Sequence, residues 1–261
     1  MIHTNNYVSD LHRAIGFDFM WKMKHFVRIP LTRYGLPQVV LLPIILLAGM
    51  MIYFLIVDHF FQPVCACPIG SLLVWLPELI LLTLLIWVFS FFRNPHRQIV
   101  QDTNLLLAPA DGTIVSVETL PNYKAFEGPV LWFEIFMNIF NVHINRIPCR
   151  VKIGRIIYKP GKFINARNPR SSRVNEANEV EMYRLDEPKD RLVVRQISGA
   201  IARRIVCQAK IGEEYAAGAQ FGMIKFGSGT ELFVPVRENL WCCVQKGDKV
   251  KAGLTVLAKY E

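Results

Sequence analysis

The bond between Gly227 and Ser228 joins the two residues of this chain best suited to unusual chemistry. Glycine leaves its carbonyl open to attack because it has no side chain, and it permits unusual backbone angles. A serine hydroxyl can attack that carbonyl when a base removes its proton. The resulting ester can eliminate and leave a pyruvoyl group at a new N-terminus. Such a ketone is an electron sink suited to amino-acid decarboxylation, although Gly-Ser-Gly also forms ordinary turns.

Three other segments contain residues that could assist this reaction. Asp111 lies in Pro-Ala-Asp-Gly, which by itself is typical of a turn, and residues 158–166 have the composition of a loop with a basic tip. His143 lies in an apolar, strand-like run, where a histidine is commonly a core residue. An imidazole held by a carboxylate can accept a proton from serine, which is otherwise a weak nucleophile. Since His96 is the only other histidine after residue 93, His143 is the candidate base.

Two long apolar segments precede these residues. The first, Leu36 to Val57, has no charged residue and can cross a bilayer core of roughly 30 Å at about 1.5 Å per helical residue. The second runs from about Ile69 to Phe92, with Glu78 as its single charge. Lys and Arg flank the pair but are missing from its connection, which places both ends in the cytoplasm. The sequence predicts a transmembrane helical hairpin over 36–92, after a basic amphipathic segment over 1–35.

The remaining residues, 93–261, have a different composition. Short β-type runs alternate with Gly and Pro, and no long helical period is present, which favours a mainly β domain with some helix. The closing segment 244–254 is similar to half of a biotinyl/lipoyl-type barrel, so a barrel of that kind or a sandwich is expected. The six cysteines lack the spacing of a zinc site, and we expect no metal. The β-type runs are Gly112–Val117, Val130–Phe136, Val151–Tyr158, Leu192–Ile197, Ala200–Ala209, Glu231–Pro235, Cys242–Gln245 and Leu254–Ala258.

Taken in order, seven segments resemble the phosphatidylserine decarboxylases, in the short form that carries a membrane anchor. The resemblance covers roughly Phe92 to Glu261. The segments are Phe-Arg-Asn-Pro-x-Arg (92–97), Pro-Ala-Asp-Gly (109–112), Asn-Val-His-Ile-Asn-Arg-Ile-Pro (141–148), Pro-Gly-Lys-Phe-Ile-Asn-Ala (160–166), Asn-Glu-x-Asn (175–178), Ala-Arg-Arg-Ile-Val (202–206) and Phe-Gly-Met-Ile-Lys-Phe-Gly-Ser (221–228).

The resemblance implies a self-processing lyase. Ser228 would attack Gly227, the chain would be cleaved between them, and Ser228 would become a covalent pyruvoyl group. Asp111 would orient His143. Phosphatidylserine would form a Schiff base with the pyruvoyl group, lose CO₂ and leave as phosphatidylethanolamine, without metal or pyridoxal phosphate. The expected substrate-binding residues lie in one family segment: Lys162, Phe163 and Asn165.

The chain departs from the family at three positions. Many long-form members have a second histidine where this chain has Arg146, which cannot act as a base at neutral pH. We therefore expect His143 to serve both cleavage and decarboxylation. Short forms usually have arginines where this chain has Gln220 and Gly229. Two alternatives stay open: a decarboxylase of another amino-headgroup lipid, and an unprocessed, non-catalytic membrane scaffold.

The expected enzyme is a multi-pass protein of the cell (inner) membrane with a cytoplasmic catalytic domain. Its expected partners are phosphatidylserine, the bilayer, and the large and small chains that cleavage produces. The net charge of +9 suits anionic headgroups, which attract each basic residue near a membrane by about 1 kcal/mol. No nucleic acid partner is expected, and a homo-oligomer is left open.

Overall fold

The computed structural model describes residues 31–60, 68–164, 170–199, 204–225 and 228–261. Three sequence predictions lie outside these ranges: the basic segment as far as residue 30, the substrate-binding role of Asn165, and the scissile residue Gly227. The described residues form a helical hairpin followed by a mainly β domain, as the sequence predicts.

The hairpin consists of helices α1 (Leu36–Phe60) and α2 (Pro68–Phe91). Both are long and apolar enough to cross a membrane, by length and composition. The Tyr53 hydroxyl on α1 donates to the Val74 carbonyl on α2. At the opposite end, the Thr32 backbone N–H donates to the Phe92 carbonyl at 2.8 Å and closes the base of the hairpin. The outer faces expose large apolar side chains, among them Leu41, Ile44, Ile45, Leu55, Leu79, Ile80 and Ile86.

Glu78, the single charged residue of α2, is half-buried. It lies one helical turn after Val74, the residue that accepts the Tyr53 hydrogen bond from α1. Its Oε2 atom is shielded and has no hydrogen-bond partner among the described residues. The sequence allows a glutamate at this position either to face protein or to lie near the membrane surface, and the shielded Oε2 atom favours the first alternative.

Within the described residues, the strands form three sheets with antiparallel pairing throughout. The largest has the order β13-β2-β3-β11-β7-β6-β5-β9. Its strands are β2 (Gly112–Leu120), β3 (Val130–Met137), β5 (Val151–Lys159), β6 (Ala177–Arg184), β7 (Arg191–Ser198), β9 (Glu214–Tyr215), β11 (Ser228–Pro235) and β13 (Lys249–Val250).

Two small sheets cover one face of the large sheet, and a short helix, α3 (Ser171–Val174), precedes β6. One small sheet contains β1 (Leu105–Leu107), β14 (Val256–Tyr260) and β12 (Leu240–Cys242). The other contains β4 (Ile144–Arg146), β10 (Gln220–Ile224) and β8 (Ile205–Cys207). The strands predicted over 231–235, 242–245 and 254–258 begin elsewhere than expected, and the strand predicted over 200–209 is described only from residue 204, where β8 forms. Strands β1, β6, β9 and β13 were not predicted.

Strand β11 lies at the centre of the large sheet, between β3 and β7. Side chains alternate between the two faces of a strand. Leu232 and Val234 enter the main core with apolar side chains from the neighbouring strands, whereas Phe233 packs in a smaller cluster on the other face. Because β11 follows the predicted cleavage bond, the C-terminal piece would supply the middle of the sheet rather than an edge.

Asp190 connects the C-terminal piece to the remainder of the domain. Its buried carboxylate accepts a hydrogen bond from the Tyr260 hydroxyl at 2.9 Å and one from Nη2 of Arg237 at 2.6 Å. Burial, reinforced by the Asp190 charge, raises the pKa of Tyr260. These contacts join residues on opposite sides of the Gly227-Ser228 bond.

We expect Asp190→Ala to destabilise the folded protein by about 1–3 kcal/mol, because the buried Tyr260 hydroxyl loses its acceptor. A lower midpoint of denaturant unfolding in detergent would be the measurement. The control is Glu213→Ala, which removes the partner of an exposed Lys210 ion pair and should leave the midpoint nearly unchanged. Equal midpoints for Asp190→Ala and wild type would contradict the prediction.

Candidate active site

Ser228 begins β11 and is fully buried. In the sheet it lies opposite Met137 of β3 and Ser198 of β7. Its hydroxyl contacts the Met137 sulfur at 3.4 Å, and a thioether is only a weak acceptor. The Ser198 hydroxyl is also buried and has no hydrogen-bond partner among the described residues. The predicted nucleophile thus lies beside a shielded, unpaired donor.

A chain of buried amide side chains connects β4 to the large sheet behind Ser228. Asn145 donates to the Thr230 hydroxyl at 3.1 Å and accepts from Gln196 at 2.9 Å. Asn178 in turn donates to Gln196 at 3.0 Å. Each of these side chains is at most 4% exposed, so their amides depend on one another for hydrogen bonds. The chain of contacts holds the strand that follows His143 against the strand that begins with Ser228.

His143 immediately precedes β4 and is fully buried. Its ring lies 4.4 Å from the ring of Phe91, the last residue of α2, measured between centroids. Its Nδ1 atom lies 2.9 Å from the Asn141 carbonyl oxygen. Since a carbonyl only accepts, the neutral ring carries its proton on Nδ1 and leaves Nε2 unprotonated. This tautomer is the form that a general base requires.

The environment of His143 keeps the ring neutral. Burial lowers the pKa of His143 to about 4. The hydrogen bond to Asn141 and the charge of Asp111 act in the opposite direction, and the charge of Arg93 adds to the lowering. The helical hairpin contributes directly to this effect, because Phe91 covers the ring.

Asp111 is buried, and its carboxylate pairs with Arg97. The Arg97 guanidinium donates to both oxygens, at 2.6 and 2.8 Å, and the Ala252 backbone N–H donates to one of them at 2.8 Å. Asp111 therefore acts on His143 through its charge in this arrangement. A direct relay between the two residues stays a prediction. Arg97 belongs to a segment that the sequence singled out, yet its pairing with Asp111 was not anticipated.

The structure describes all three positions at which the chain departs from the family pattern: Arg146, Gln220 and Gly229. Arg146 is buried and donates to the Gly218 carbonyl at 2.8 Å. Gln220 pairs with Asn94, which follows the hairpin, through an amide contact of 2.9 Å. Gly229 lies on the face of β11 opposite Ser228, because neighbouring residues alternate.

The predicted substrate loop is attached to the strand beside Ser228 through Asn175. This buried amide accepts from the Ile164 N–H at 3.0 Å and donates to the Ile164 carbonyl at 2.8 Å and the Ser198 carbonyl at 2.7 Å. Lys162 and Phe163 are exposed just before Ile164. Their substrate-binding role stays a prediction. Asn175 belongs to the Asn-Glu-x-Asn segment (175–178), and its sequence pattern alone predicts no role for that residue.

Replacing Phe91 with alanine should raise the pKa of His143 from about 4 toward its ordinary value of roughly 6.5, because water then reaches the ring. The ring signals of His143, assigned with a His143→Gln variant, would be titrated by NMR in detergent.

The same shift has a consequence for stability. The free energy of unfolding of the wild type should fall as pH falls from roughly 6.5 to 4, since in that range His143 is protonated in the unfolded chain but not in the folded protein. That loss should shrink in Phe91→Ala. Phe54→Ala, on the exposed part of α1, is the control, and an unchanged pKa in Phe91→Ala would contradict the prediction.

Comparisons with known proteins show the family of this chain. Residues 84–258 match the sequence model of the phosphatidylserine decarboxylase family. A phosphatidylserine decarboxylase proenzyme of Rhodopirellula baltica is 36% identical over 244 residues, which cover 93% of this chain and 92% of the relative. Proenzymes of the same name from Pelagibacter ubique and Carboxydothermus hydrogenoformans are 41% and 40% identical, over 69% and 71% of this chain and 83% and 84% of their own lengths. The chain therefore belongs to the phosphatidylserine decarboxylase family.

Proposed function

We propose that this chain is a proenzyme that cleaves itself between Gly227 and Ser228 and then converts phosphatidylserine to phosphatidylethanolamine and CO₂. The observation that carries the proposal is the position of Ser228. It is fully buried at the start of the central strand, beside the unpaired Ser198 hydroxyl, in a chain whose relatives are named as proenzymes of this reaction.

In the proposed cleavage, the Ser228 oxygen attacks the Gly227 carbonyl carbon and His143 accepts the serine proton. The peptide C–N bond breaks as the ester C–O bond forms, and the nitrogen takes up a proton. Elimination then opens the ester, releasing the Gly227 carboxylate, and hydrolysis of the remaining enamine releases ammonia. A neutral His143 with an unprotonated Nε2 supports this role, because a histidine protonated at neutral pH could not accept the proton.

The surroundings of residue 228 fit the pyruvoyl group that would replace its serine. That group supplies the electron sink for decarboxylation. Ser198 has a buried hydroxyl without a partner among the described residues, and it is available to donate to the new carbonyl. Met137 and Thr230 enclose the same side of β11 and keep water from the reacting atoms. His143 is the proposed carrier of the proton: its Nε2 atom would accept a proton from the substrate ammonium as the Schiff base forms, and would return it to the substrate carbon after CO₂ leaves.

The hairpin supports the proposed location, a multi-pass protein of the inner membrane with its catalytic domain in the cytoplasm. His143 packs against the last residue of α2, and Arg93 donates to the Phe140 carbonyl at 2.6 Å just beyond it. The site therefore lies at the base of the hairpin, beside the Thr32–Phe92 hydrogen bond, where a diacyl lipid can present its headgroup without leaving the bilayer. The basic flanks of the hairpin support the cytoplasmic orientation.

The finer description of the β domain as a biotinyl/lipoyl-like barrel is also a proposal. It is supported by the turn at Gly247, whose φ of +100° favours glycine, and by Asp248, whose carboxylate accepts from the Gln245 N–H at 2.9 Å. The Gly247 N–H also donates to the Ile114 carbonyl of β2 at 2.8 Å, which ties the turn to the large sheet. Cleavage would leave a large and a small chain held together through β11.

Ser228→Ala should abolish both cleavage and decarboxylation, because alanine has no nucleophilic oxygen. Denaturing electrophoresis and mass spectrometry should give two chains for wild type, with a pyruvoyl group on the piece spanning 228–261, and one intact chain for the variant. Ser116→Ala on β2 is the control and should be processed normally. Active wild-type protein with an intact Gly227-Ser228 bond would contradict the proposal.

Asn175→Ala should raise the KM for phosphatidylserine by roughly tenfold, because the loop before Ile164 loses its hydrogen bonds to the strand beside Ser228. Kinetics on vesicles, normalised to the cleaved fraction, would measure this. Asn239→Ala removes an exposed amide contact to the Glu261 carbonyl and should leave KM unchanged. The proposed role of the loop would fail if both variants had the wild-type KM.

A further inference from the structure

Lys225 is a buried cation three residues before Ser228, and the described residues supply no carboxylate to pair with it. Lys225 is only 5% exposed, and its Nζ atom donates to Oε1 of Gln38 on α1 at 2.9 Å. Buried charges are ordinarily paired with an opposite charge. The Gln38 amide is neutral, so it satisfies one hydrogen bond of the ammonium group without balancing its charge.

A second cation lies close to Lys225. The Lys225 backbone N–H donates to the Arg204 carbonyl at 3.2 Å, and the Arg204 side chain is exposed. Burial, followed by the charge of Arg204, lowers the pKa of Lys225. Two neighbouring positive charges without a described counter-charge favour the binding of an anion between them.

The location of Lys225 relates it to both the membrane and the reacting residue. Met223, two residues earlier, packs with Tyr34, Val39 and Phe91 at the base of the hairpin. Lys225 contacts the first turns of α1, and Ser228 begins β11 shortly after it. The acyl chains of a lipid substrate stay in the bilayer while its amine reaches residue 228. Its phosphate must then lie between the base of the hairpin and residue 228.

We propose that Lys225, assisted by Gln38 and Arg204, binds the phosphodiester of the lipid headgroup. This inference rests on the proposed function. The amine and the phosphate of the headgroup are only a few bonds apart, so one segment can serve both. The carboxylate is the less suitable ligand, because a cation that held it would stabilise the substrate relative to the transition state as CO₂ leaves. The phosphodiester persists into the product.

Lys225→Met in the full chain tests this proposal on phosphatidylserine vesicles. We expect normal self-cleavage, a KM raised roughly tenfold to a hundredfold, and a much smaller change in kcat per cleaved enzyme. Lys225→Arg, which keeps the charge, should recover most of the loss. Lys246→Met is the matched control, because it removes one exposed lysine from a distant turn and should leave KM unchanged.

Product inhibition distinguishes the phosphate from the carboxylate. If Lys225 binds the phosphodiester, Lys225→Met should weaken inhibition by phosphatidylethanolamine by the same factor as it raises KM. If Lys225→Met raises the KM for phosphatidylserine but leaves inhibition by phosphatidylethanolamine unchanged, Lys225 binds the carboxylate and the proposal is overturned. An unchanged KM would likewise overturn it, and the ammonium would then serve another anion, such as the carboxylate that cleavage creates at Gly227.

Gln38→Glu covers the case in which Lys225→Met is not processed. An introduced carboxylate would compete with the lipid phosphate for Lys225 and raise KM, whereas a purely structural Lys225 would be held more firmly and KM would stay the same. The latter result overturns the inference. Failure of the proposed function is separate, because wild-type protein would then show neither cleavage nor turnover.

Discussion

The packing of the end of helix α2 against strands β4 and β10 is the contact on which the remaining features of the site depend. Phe91 covers the His143 ring, and Met223 packs into the same apolar cluster. A hairpin that made no contact with the site would only tether the domain. Because its last turn forms one wall of the site, it also excludes water from the candidate base and keeps that base neutral. The hairpin is thus part of the environment of the candidate base.

A second constraint is the position of β11 in the sheet. A chain that breaks before Ser228 must keep the new N-terminus in place. Hydrogen bonding to β3 and β7 on either side provides this, as does the pairing of Asp190 with Arg237 and Tyr260. The buried amides of Asn145 and Gln196 then hold the strand after His143 in register with the same element. Cleavage can therefore alter the covalent chain without separating the groups that react.

Charge is distributed unevenly around this arrangement. Asp111 is balanced by Arg97, and on the outer face of the sheet the buried Glu231 is held by Arg195 at 3.1 Å. Burial still raises the pKa of Glu231 to about 7, against the opposing charge of Arg195. Lys225 differs from these groups, because its described partner is the neutral Gln38 amide. This difference is the reason for proposing Lys225, rather than the other charged groups, as the ligand of an anionic headgroup.

The hairpin, the mainly β domain and the candidate reactive residues could be predicted from the sequence, since apolar length, β-type runs and ordered motifs are local properties of the chain. Strand β6 escaped prediction although Val180 and Met182 alternate with Glu179 and Glu181, because buried glutamates look like surface residues until Arg195 is placed beside Glu179. The pairing of Asp111 with Arg97, the anchoring of the loop by Asn175 and the covering of His143 by Phe91 become visible in the folded structure alone. Those contacts join residues far apart in the chain, and their geometry depends on strand register and helix packing, which no local pattern specifies.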